Sequence, residues 1–199
     1  MGTPFADNYP EMIRLCLDAF DQGGPVAPLD MLEAMMSLPN VEMHTPEHHF
    51  MVPADLLTAA HSVSGRDRAA LERNLNAALT RSKRVPGGSC GSCGDCGCCG
   101  AAVGAGIFAA LWLKPTPKST VRWADANRFT AWCLESIATV DGPRCCKRVS
   151  YLAIEAAVPL SKEVLGVDLG ELPKPACTRF AKNAECLHTA CPYFPSKKA

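Results

Sequence analysis

Five cysteines fall within the ten residues from Cys90 to Cys99, the densest group of reactive side chains in the chain. The stretch consists of tandem x-Cys-Gly triplets, in the sequence SCGSCGDCGCCG. Glycine tolerates positive φ and lets backbone N–H groups approach a bound group closely. These residues are therefore predicted to form a loop that brings thiols together, and thiolates bind metals or act as nucleophiles.

The spacing of these thiols favours an iron–sulfur cluster. Cys90, Cys93, Cys96 and Cys99 recur every third residue, and a C-x2-C-x2-C run opens the bacterial ferredoxin pattern. That pattern continues with three residues and Cys-Pro, whereas here Cys99 comes early and Gly100 follows, so a standard ferredoxin is excluded. We expect a cluster of the 4Fe–4S type, with tetrahedral zinc as the alternative because it also accepts four thiolates.

The adjacent thiols of Cys145 and Cys146 form a second group, at the predicted start of a helix. Arg144, Lys147 and Arg148 flank them, and positive neighbours at a helix N-terminus lower the pKa of a thiol. We expect Cys145 and Cys146 to be metal ligands or catalytic nucleophiles, with Arg144 beside them in the catalytic site. Lys147 and Arg148 are expected to hold an anionic cofactor. Adjacent cysteines bind one metal atom poorly, so one thiol of the pair should point elsewhere.

Three further thiols, Cys177, Cys186 and Cys191, lie in a proline-rich tail. They could form a second metal site, with His188 or a loop cysteine as the fourth ligand. The alternative is a small zinc knuckle that only pins the tail.

Four of the five histidines fall between His44 and His61. His48 and His49 are candidate catalytic groups for proton transfer, because histidine titrates near neutral pH, and they could also bind a metal. The alternative is structural, with one ring packed or capping a helix and the other in solvent.

Helical periodicity dominates the sequence and strand patterns are scarce, so we predict an all-α fold of six or seven helices. At its centre we place residues 101–113, because hydrophobicity on all sides is typical of a buried helix. That helix follows the cysteine loop directly, so its N–H groups should face the thiols. Gly100 and Gly104 are candidate cofactor-binding positions that allow close approach. Cys16 and Cys133 lie on apolar faces and are predicted core residues.

Proline places further boundaries. Pro46 looks like a helix start, and Pro53 is predicted to end that helix and start another. We divide the chain into a helical domain, residues 1–165, which contains the cysteine-rich loop 86–100, and a cysteine-containing tail, residues 166–199, packed on it.

Composition excludes several classes of protein. Lys+Arg and Asp+Glu both total 20, and this zero net charge argues against a dedicated nucleic-acid binder. The beginning of the chain lacks a secretory signal pattern, and the apolar stretch 101–113 is shorter than the roughly 20 residues that span a bilayer. We expect a cytoplasmic protein without a membrane partner. In that reducing compartment, twelve cysteines indicate metal or redox chemistry rather than disulfides.

Four blocks of sequence occur in a distinctive order: HTPEHHFMVPADLLTAAH, PGG followed by CGAAVGAGIF, GPRCCKRVSYLAI and ECLHTACPYFP. Together they resemble an uncharacterised cysteine-rich family of anaerobic bacteria and methanogenic archaea, whose members are sometimes fused to SAM-dependent methyltransferase domains. The family loop has one CG-x-x-G-x-CG unit, which Cys93 to Gly100 matches, and the triplet around Cys90 is then an addition. The resemblance implies an anaerobic setting. Its site residues would be Cys93, Cys99, Cys145, Cys146, Cys186 and Cys191.

Three functions remain open at this point. The first is an iron–sulfur protein in anaerobic redox or cluster-dependent chemistry on a small anionic substrate, with a redox partner protein. The second is a zinc-binding, non-enzymatic partner module of a methyltransferase. The third is a thiol-based sulfur-transfer protein with Cys145 or Cys146 as its nucleophile. The candidate metal ligands are Cys93, Cys96, Cys99, Cys145, Cys146, Cys177, Cys186 and Cys191.

Overall fold

The computed structural model describes residues 7–84 and 91–195. These residues form eight α-helices and contain no strand. The helices are α1 (Tyr9–Asp21), α2 (Pro28–Met36), α3 (Glu47–Ser64), α4 (Arg68–Ser82), α5 (Ser92–Asp95), α6 (Gly100–Leu113), α7 (Trp123–Ala138) and α8 (Cys146–Leu160). Because α5 is a single turn inside the cysteine loop, seven longer helices make up the described fold. The predicted all-α architecture is confirmed.

The helix α6 lies at the centre of the others and contacts α3, α4, α7 and α8. Its sequence is apolar on every side, so contact with a neighbour on one face only would leave apolar surface in water. Phe108 is fully buried, and its ring lies 6.2 Å from that of Trp112 and 5.9 Å from that of Phe129 in α7. None of the helices in the described ranges combines the length and hydropathy needed to cross a bilayer.

Small residues let α6 approach its neighbours closely. A Cβ on Gly104 would lie 2.8 Å from Pro53 Cδ and 3.0 Å from the carbonyl oxygen of His49, both in α3. A Cβ on Gly106 would collide with Thr130 Oγ1 in α7. These two glycines therefore fix how closely α6 packs on α3 and α7.

Pro53 does not end a helix, so the prediction of a break there was wrong. The helix α3 continues from Glu47 to Ser64 with Pro53 inside it. Proline has no N–H, so the carbonyl of His49, four residues earlier, loses its helical donor. The Ser82 hydroxyl of α4 donates to that oxygen at 3.1 Å instead. A tertiary contact thus replaces the missing hydrogen bond.

Two cysteines belong to the core, as predicted. Cys16 in α1 and Cys133 in α7 have no exposed surface. Burial raises the pKa of each thiol to about 12, which keeps both protonated at neutral pH. The Cys133 thiol donates to the carbonyl of Ala153 in α8 at 3.4 Å. These two thiols are packing residues rather than reactive ones.

Residues 166–195, which we call the C-terminal segment, contain little regular structure. They follow a single π-helical turn, Ser161–Leu165, and include two short 3-10 turns, Phe180–Lys182 and His188–Ala190. Four residues of the segment are buried: Val167, Leu169, Asn183 and Tyr193. The predicted division into two domains at this point stays a prediction.

Polar contacts attach the C-terminal segment to the helices. The Arg179 guanidinium donates to Glu33 Oε2 and to Ser37 Oγ, both at 2.7 Å, at the end of α2. The ring of Tyr193 packs 5.0 Å from that of Tyr151 in α8. The segment therefore lies against α2 and α8, beside the Cys145–Cys146 pair.

Candidate metal centre

A small cavity of about 20 Å³ lies where the cysteine loop, α3 and the start of α8 meet. Cys93 and Cys99 line it from the loop, and Cys146 lines it from the first position of α8. His48 and His49 line it from α3. We call it the helix-start cavity, because α6 and α8 both begin there. Arg144 and Gly100 line it as well, so the structure brings together seven residues that the sequence singled out.

The Cys145–Cys146 pair divides between two sides. Cys146 lines the helix-start cavity, whereas Cys145 faces the C-terminal segment, where Asn183 Nδ2 donates to its Sγ at 3.8 Å. Cys145 has an extended backbone, with φ −136° and ψ 110°, immediately before α8 begins. Successive side chains of an extended chain point to opposite sides. This geometry agrees with the expectation that the two thiols do not share one metal atom.

Cys99 is the residue immediately before α6, and its thiol lies close to the backbone N–H groups at the start of that helix. Burial raises the pKa of the thiol, while the backbone N–H groups of Ala101 and Ala102 lower it. Those N–H groups have no acceptor inside the first helical turn, so they favour a thiolate. The nearby Cys93 raises the pKa again, because two thiolates repel each other. A metal cation between the two sulfurs would remove that repulsion.

His48 carries an unused lone pair in a buried position. Its Nδ1 lies 2.9 Å from the carbonyl oxygen of Thr45, and a carbonyl only accepts, so Nδ1 carries the proton. The other ring nitrogen, Nε2, is buried and has no hydrogen-bond partner. Burial, followed by the charge of Lys147, lowers the pKa of His48 and keeps it neutral. A neutral ring held through Nδ1–H by a carbonyl is the usual arrangement of a histidine metal ligand.

His49 packs against the first residue of α6. A Cβ on Gly100 would collide with the His49 imidazole, so glycine is required for this contact. Burial lowers the pKa of His49, and the charge of Arg144, which also lines the cavity, lowers it further. His49 is therefore an unprotonated base at neutral pH, as proton acceptance requires.

Lys147 and Arg148 are buried but do not line this cavity. Lys147 Nζ donates to the carbonyl of Glu42 at 3.1 Å, and the side chain lines a separate cleft of about 690 Å³. Arg148 donates to the carbonyls of Asp141 and Pro143, at 3.2 and 2.8 Å, and so holds the turn before α8. Neither side chain therefore lines the cavity, and their role in cofactor binding stays a prediction.

Other predicted residues also lie apart from the helix-start cavity. Gly104 lies in the contact between α6 and α3. Cys96 is exposed in the loop, while Cys98 is partly buried. Cys90 lies outside the described residues. Cys177, Cys186 and Cys191, all partly buried, belong to the C-terminal segment on the side of Cys145.

The donor atoms around the cavity do not yet converge on one point. Within residues 7–84 and 91–195, no three His, Cys, Asp or Glu side chains are placed to hold a metal ion. Binding of an ion would therefore require thiols and imidazole to turn toward a common centre. The arrangement supplies suitable donors from separate segments rather than a finished coordination shell.

A family model matches residues 18–194 and is described as a family of unknown function, DUF5714. The chain belongs to this family. The expectation of an uncharacterised family is thereby confirmed, and the DUF5714 match spans both the helix-start cavity and the C-terminal segment. Searches of curated proteins and of solved structures gave no match.

Two contacts of the DUF5714 protein were not predicted from sequence. Thr45 stands three residues before His48, a spacing typical of a helix start, so a local pattern could have indicated its carbonyl as the partner. Asn183 lies 38 residues from Cys145, and nothing in the spacing joins them. The second contact follows only from how the C-terminal segment returns to α8.

Proposed function

We propose that this DUF5714 protein binds an iron–sulfur cluster at the helix-start cavity, with Cys93, Cys99 and Cys146 as ligands. The observation that carries the proposal is the meeting of thiols from two distant segments around one cavity. Both segments are helix starts, whose N–H groups favour thiolates and other anions. Cysteine thiolates are the usual ligands of iron–sulfur clusters.

The residues present suit a metal with soft ligands. Three cysteines line the cavity. His48, whose Nε2 has no hydrogen-bond partner, lines it as well. A buried polar atom without a partner costs about 1–3 kcal/mol, and a metal bond would remove that cost. The cavity of about 20 Å³ has room for roughly one water. A cluster therefore requires the cysteine loop to move outward, and Cys96 is then a further ligand on the same loop.

The chain's own residues define what such a centre would do. When bound, a cluster supplies electron transfer or, at an iron without a protein ligand, a Lewis acid. Arg144 holds a small anionic substrate at the cavity through its fixed positive charge. His49, kept neutral by burial, accepts a proton from that substrate. An anaerobic setting and a redox protein as electron partner belong to this proposal.

A second candidate is a single zinc ion, and the cavity volume favours it. Room for about one water suits one ion without loop movement. Three thiolates and the lone pair of His48 would complete a tetrahedral Cys3His site. A closed site of this kind is structural, so the chain would then be a non-enzymatic module with a methyltransferase as its partner.

Metal and sulfide analysis of anaerobically purified protein distinguishes the iron–sulfur cluster from the single zinc ion. The proposal predicts iron and acid-labile sulfide in similar amounts, with visible absorption that decreases on reduction. Both should fall in Cys93→Ser and in Cys146→Ser, and neither should change in the core variant Cys133→Ser. Zinc without sulfide, part of which is lost in Cys93→Ser and in Cys146→Ser, would overturn the cluster and support the Cys3His site. Protein that holds neither metal when folded would overturn both.

A further inference from the structure

The C-terminal segment gathers its cysteines around Cys145, the thiol that the helix-start cavity does not use. Asn183 Nδ2 donates to Cys145 Sγ at 3.8 Å. Burial raises the pKa of the Cys177 thiol, and the nearby thiols of Cys145 and Cys191 raise it further. The Cys177 N–H also donates to the carbonyl of Tyr193 at 2.7 Å, which fixes Cys177 beside the end of the segment.

Short turns connect Cys186 and Cys191 to the same place. The Cys186 N–H donates to the carbonyl of Asn183 at 3.1 Å, and the Cys191 N–H donates to that of His188 at 2.8 Å. Cys186 therefore lies one turn from the residue that contacts Cys145. The backbone brings four cysteines, Cys145 from just before α8 and three from the segment, into one region.

Two of these thiols already accept backbone hydrogen bonds. The Arg179 N–H points at Cys177 Sγ at 3.4 Å, and the His188 N–H points at Cys186 Sγ at 3.3 Å. In each case the donor stands two residues after the cysteine. Backbone N–H groups aimed at sulfur stabilise the thiolate, which is the form that binds metal.

Apolar burial and regular helix do little to hold the segment in place. Its four buried residues include the polar Asn183, and its helical elements are two three-residue turns. Chain with so little apolar burial is usually ordered by disulfides or metal ions. All four cysteines are free thiols in the structure, so a disulfide does not supply the link.

We propose that Cys145, Cys177, Cys186 and Cys191 bind a structural zinc ion that fastens the C-terminal segment to the start of α8. Four thiolates form a closed tetrahedral zinc site. The four side chains must turn toward a common point to bind it, since in the described ranges no three of them are yet placed to hold an ion. This site is separate from the helix-start cavity and does not depend on the function proposed for it.

Cys145 replaces His188, which the sequence suggested as a fourth ligand. His188 is exposed, and its ring packs 5.5 Å from that of Phe194. The adjacent residues Cys145 and Cys146 would then serve two different metal centres, one on each side of the start of α8.

Because Cys145 and Cys146 would bind different metal centres, serine variants at these two adjacent positions serve as controls for each other. Zinc content of the full chain should fall by one ion in Cys145→Ser, Cys177→Ser, Cys186→Ser and Cys191→Ser. Metal at the helix-start cavity should stay in these variants and fall in Cys146→Ser, and His188→Ala should keep all metal. Loss of the same metal in Cys145→Ser and Cys146→Ser would overturn the proposal, as would unchanged zinc in Cys145→Ser.

A measurement on the unmodified chain covers variants that fail to fold. Thiol alkylation followed by peptide mass spectrometry should show Cys145, Cys177, Cys186 and Cys191 protected while zinc is bound. On addition of a chelator the four should become reactive together, and separately from Cys93, Cys99 and Cys146. Alkylation of Cys145 in step with Cys146, or before any zinc is released, would overturn the proposal.

Discussion

The seven longer helices and the C-terminal segment hold their shape by different means. The helices share one apolar core, in which residues such as Phe50, Phe108 and Leu57 have no exposed surface. The segment buries only four residues and reaches the helices through Arg179 and Tyr193. One region therefore depends on apolar burial and the other on a few directional bonds.

The difference shows which region would need a ligand. Apolar burial is non-directional and is shared among many residues, so the packing of the helices does not depend on any single contact. Hydrogen bonds each contribute little net free energy, so a segment fastened by a few of them opens readily. A metal ion at the four cysteines would be a large contribution in the place where burial is small.

The largest effect is expected from Phe108→Ala. This ring is fully buried between Trp112 and Phe129, and its removal leaves a cavity at the centre of the core. The free energy of unfolding should fall by about 3–5 kcal/mol in urea denaturation followed by circular dichroism. Val121→Ala, on a side chain that is 71% exposed, should change it little. Equal losses in the two variants would mean that α6 is not the centre of the core.

In metal-free protein, Arg179→Met should loosen the C-terminal segment and leave the helices intact. The variant loses the bonds to Glu33 and Ser37, and hydrogen bonds to charged groups contribute about 1.5–3 kcal/mol. Hydrogen exchange in the segment should accelerate by about 10- to 100-fold, since 1.36 kcal/mol is tenfold. Exchange in α6 should not change.

A matched control is available for the Arg179 variant. Lys162→Met breaks the ion pair with Asp168, in which the side chains are 69% and 58% exposed. Exposed pairs contribute about 0–1 kcal/mol, so exchange in the segment should hardly respond. If both variants accelerate exchange equally, the partly buried Arg179–Glu33 contact does not fasten the segment.

Gly104→Ala should loosen the contact between α6 and α3. The added methyl would stand 2.8 Å from Pro53 Cδ and 3.0 Å from the His49 carbonyl oxygen, so the helices must separate. Overpacking of this kind costs about 1–3 kcal/mol of unfolding free energy. Gly94→Ala, where the new Cβ would meet nothing within 4 Å, is the control in the cysteine loop. A stable Gly104→Ala variant would contradict the close approach.

Of these variants, Asp55→Asn should change the free energy of unfolding least when it is measured at pH 5. Asp55 is fully buried, Oδ1 accepts the Leu32 N–H at 3.0 Å, and burial raises its pKa well above 3.8. The folded state then holds the proton more tightly, so stability is lost as pH rises from about 3.8 toward the folded pKa. Asparagine keeps the acceptor without a charge. The free energy of unfolding of the variant should therefore rise relative to that of the original chain between pH 5 and pH 8.

Denaturation across that pH range provides the check. Within this range the two proteins should be most alike at pH 5, and the difference in unfolding free energy should widen with pH until the folded pKa of Asp55 is reached. Parallel stability curves would show that the Asp55 carboxyl keeps its ordinary pKa in the folded chain. The segment should respond in neither protein, because Asp55 belongs to α3.

Much of the fold could be predicted from sequence because its signals are local. All-round apolarity indicated that α6 is central, and helical periodicity indicated an all-α fold. The apolar surroundings of Cys16 and Cys133 predicted their burial. Pro53 was misjudged because its missing N–H is compensated by Ser82, a residue of the next helix.

The candidate site was predictable in its members and not in its arrangement. Residue type and spacing identified the loop thiols, the Cys145–Cys146 pair and the histidines, since metal and proton chemistry depend on side-chain type. Only the folded chain placed Cys146 beside Cys99 and His48, and turned Cys145 toward Asn183. An extended residue before a helix separates two neighbouring side chains, and which partners each then meets depends on how distant segments pack.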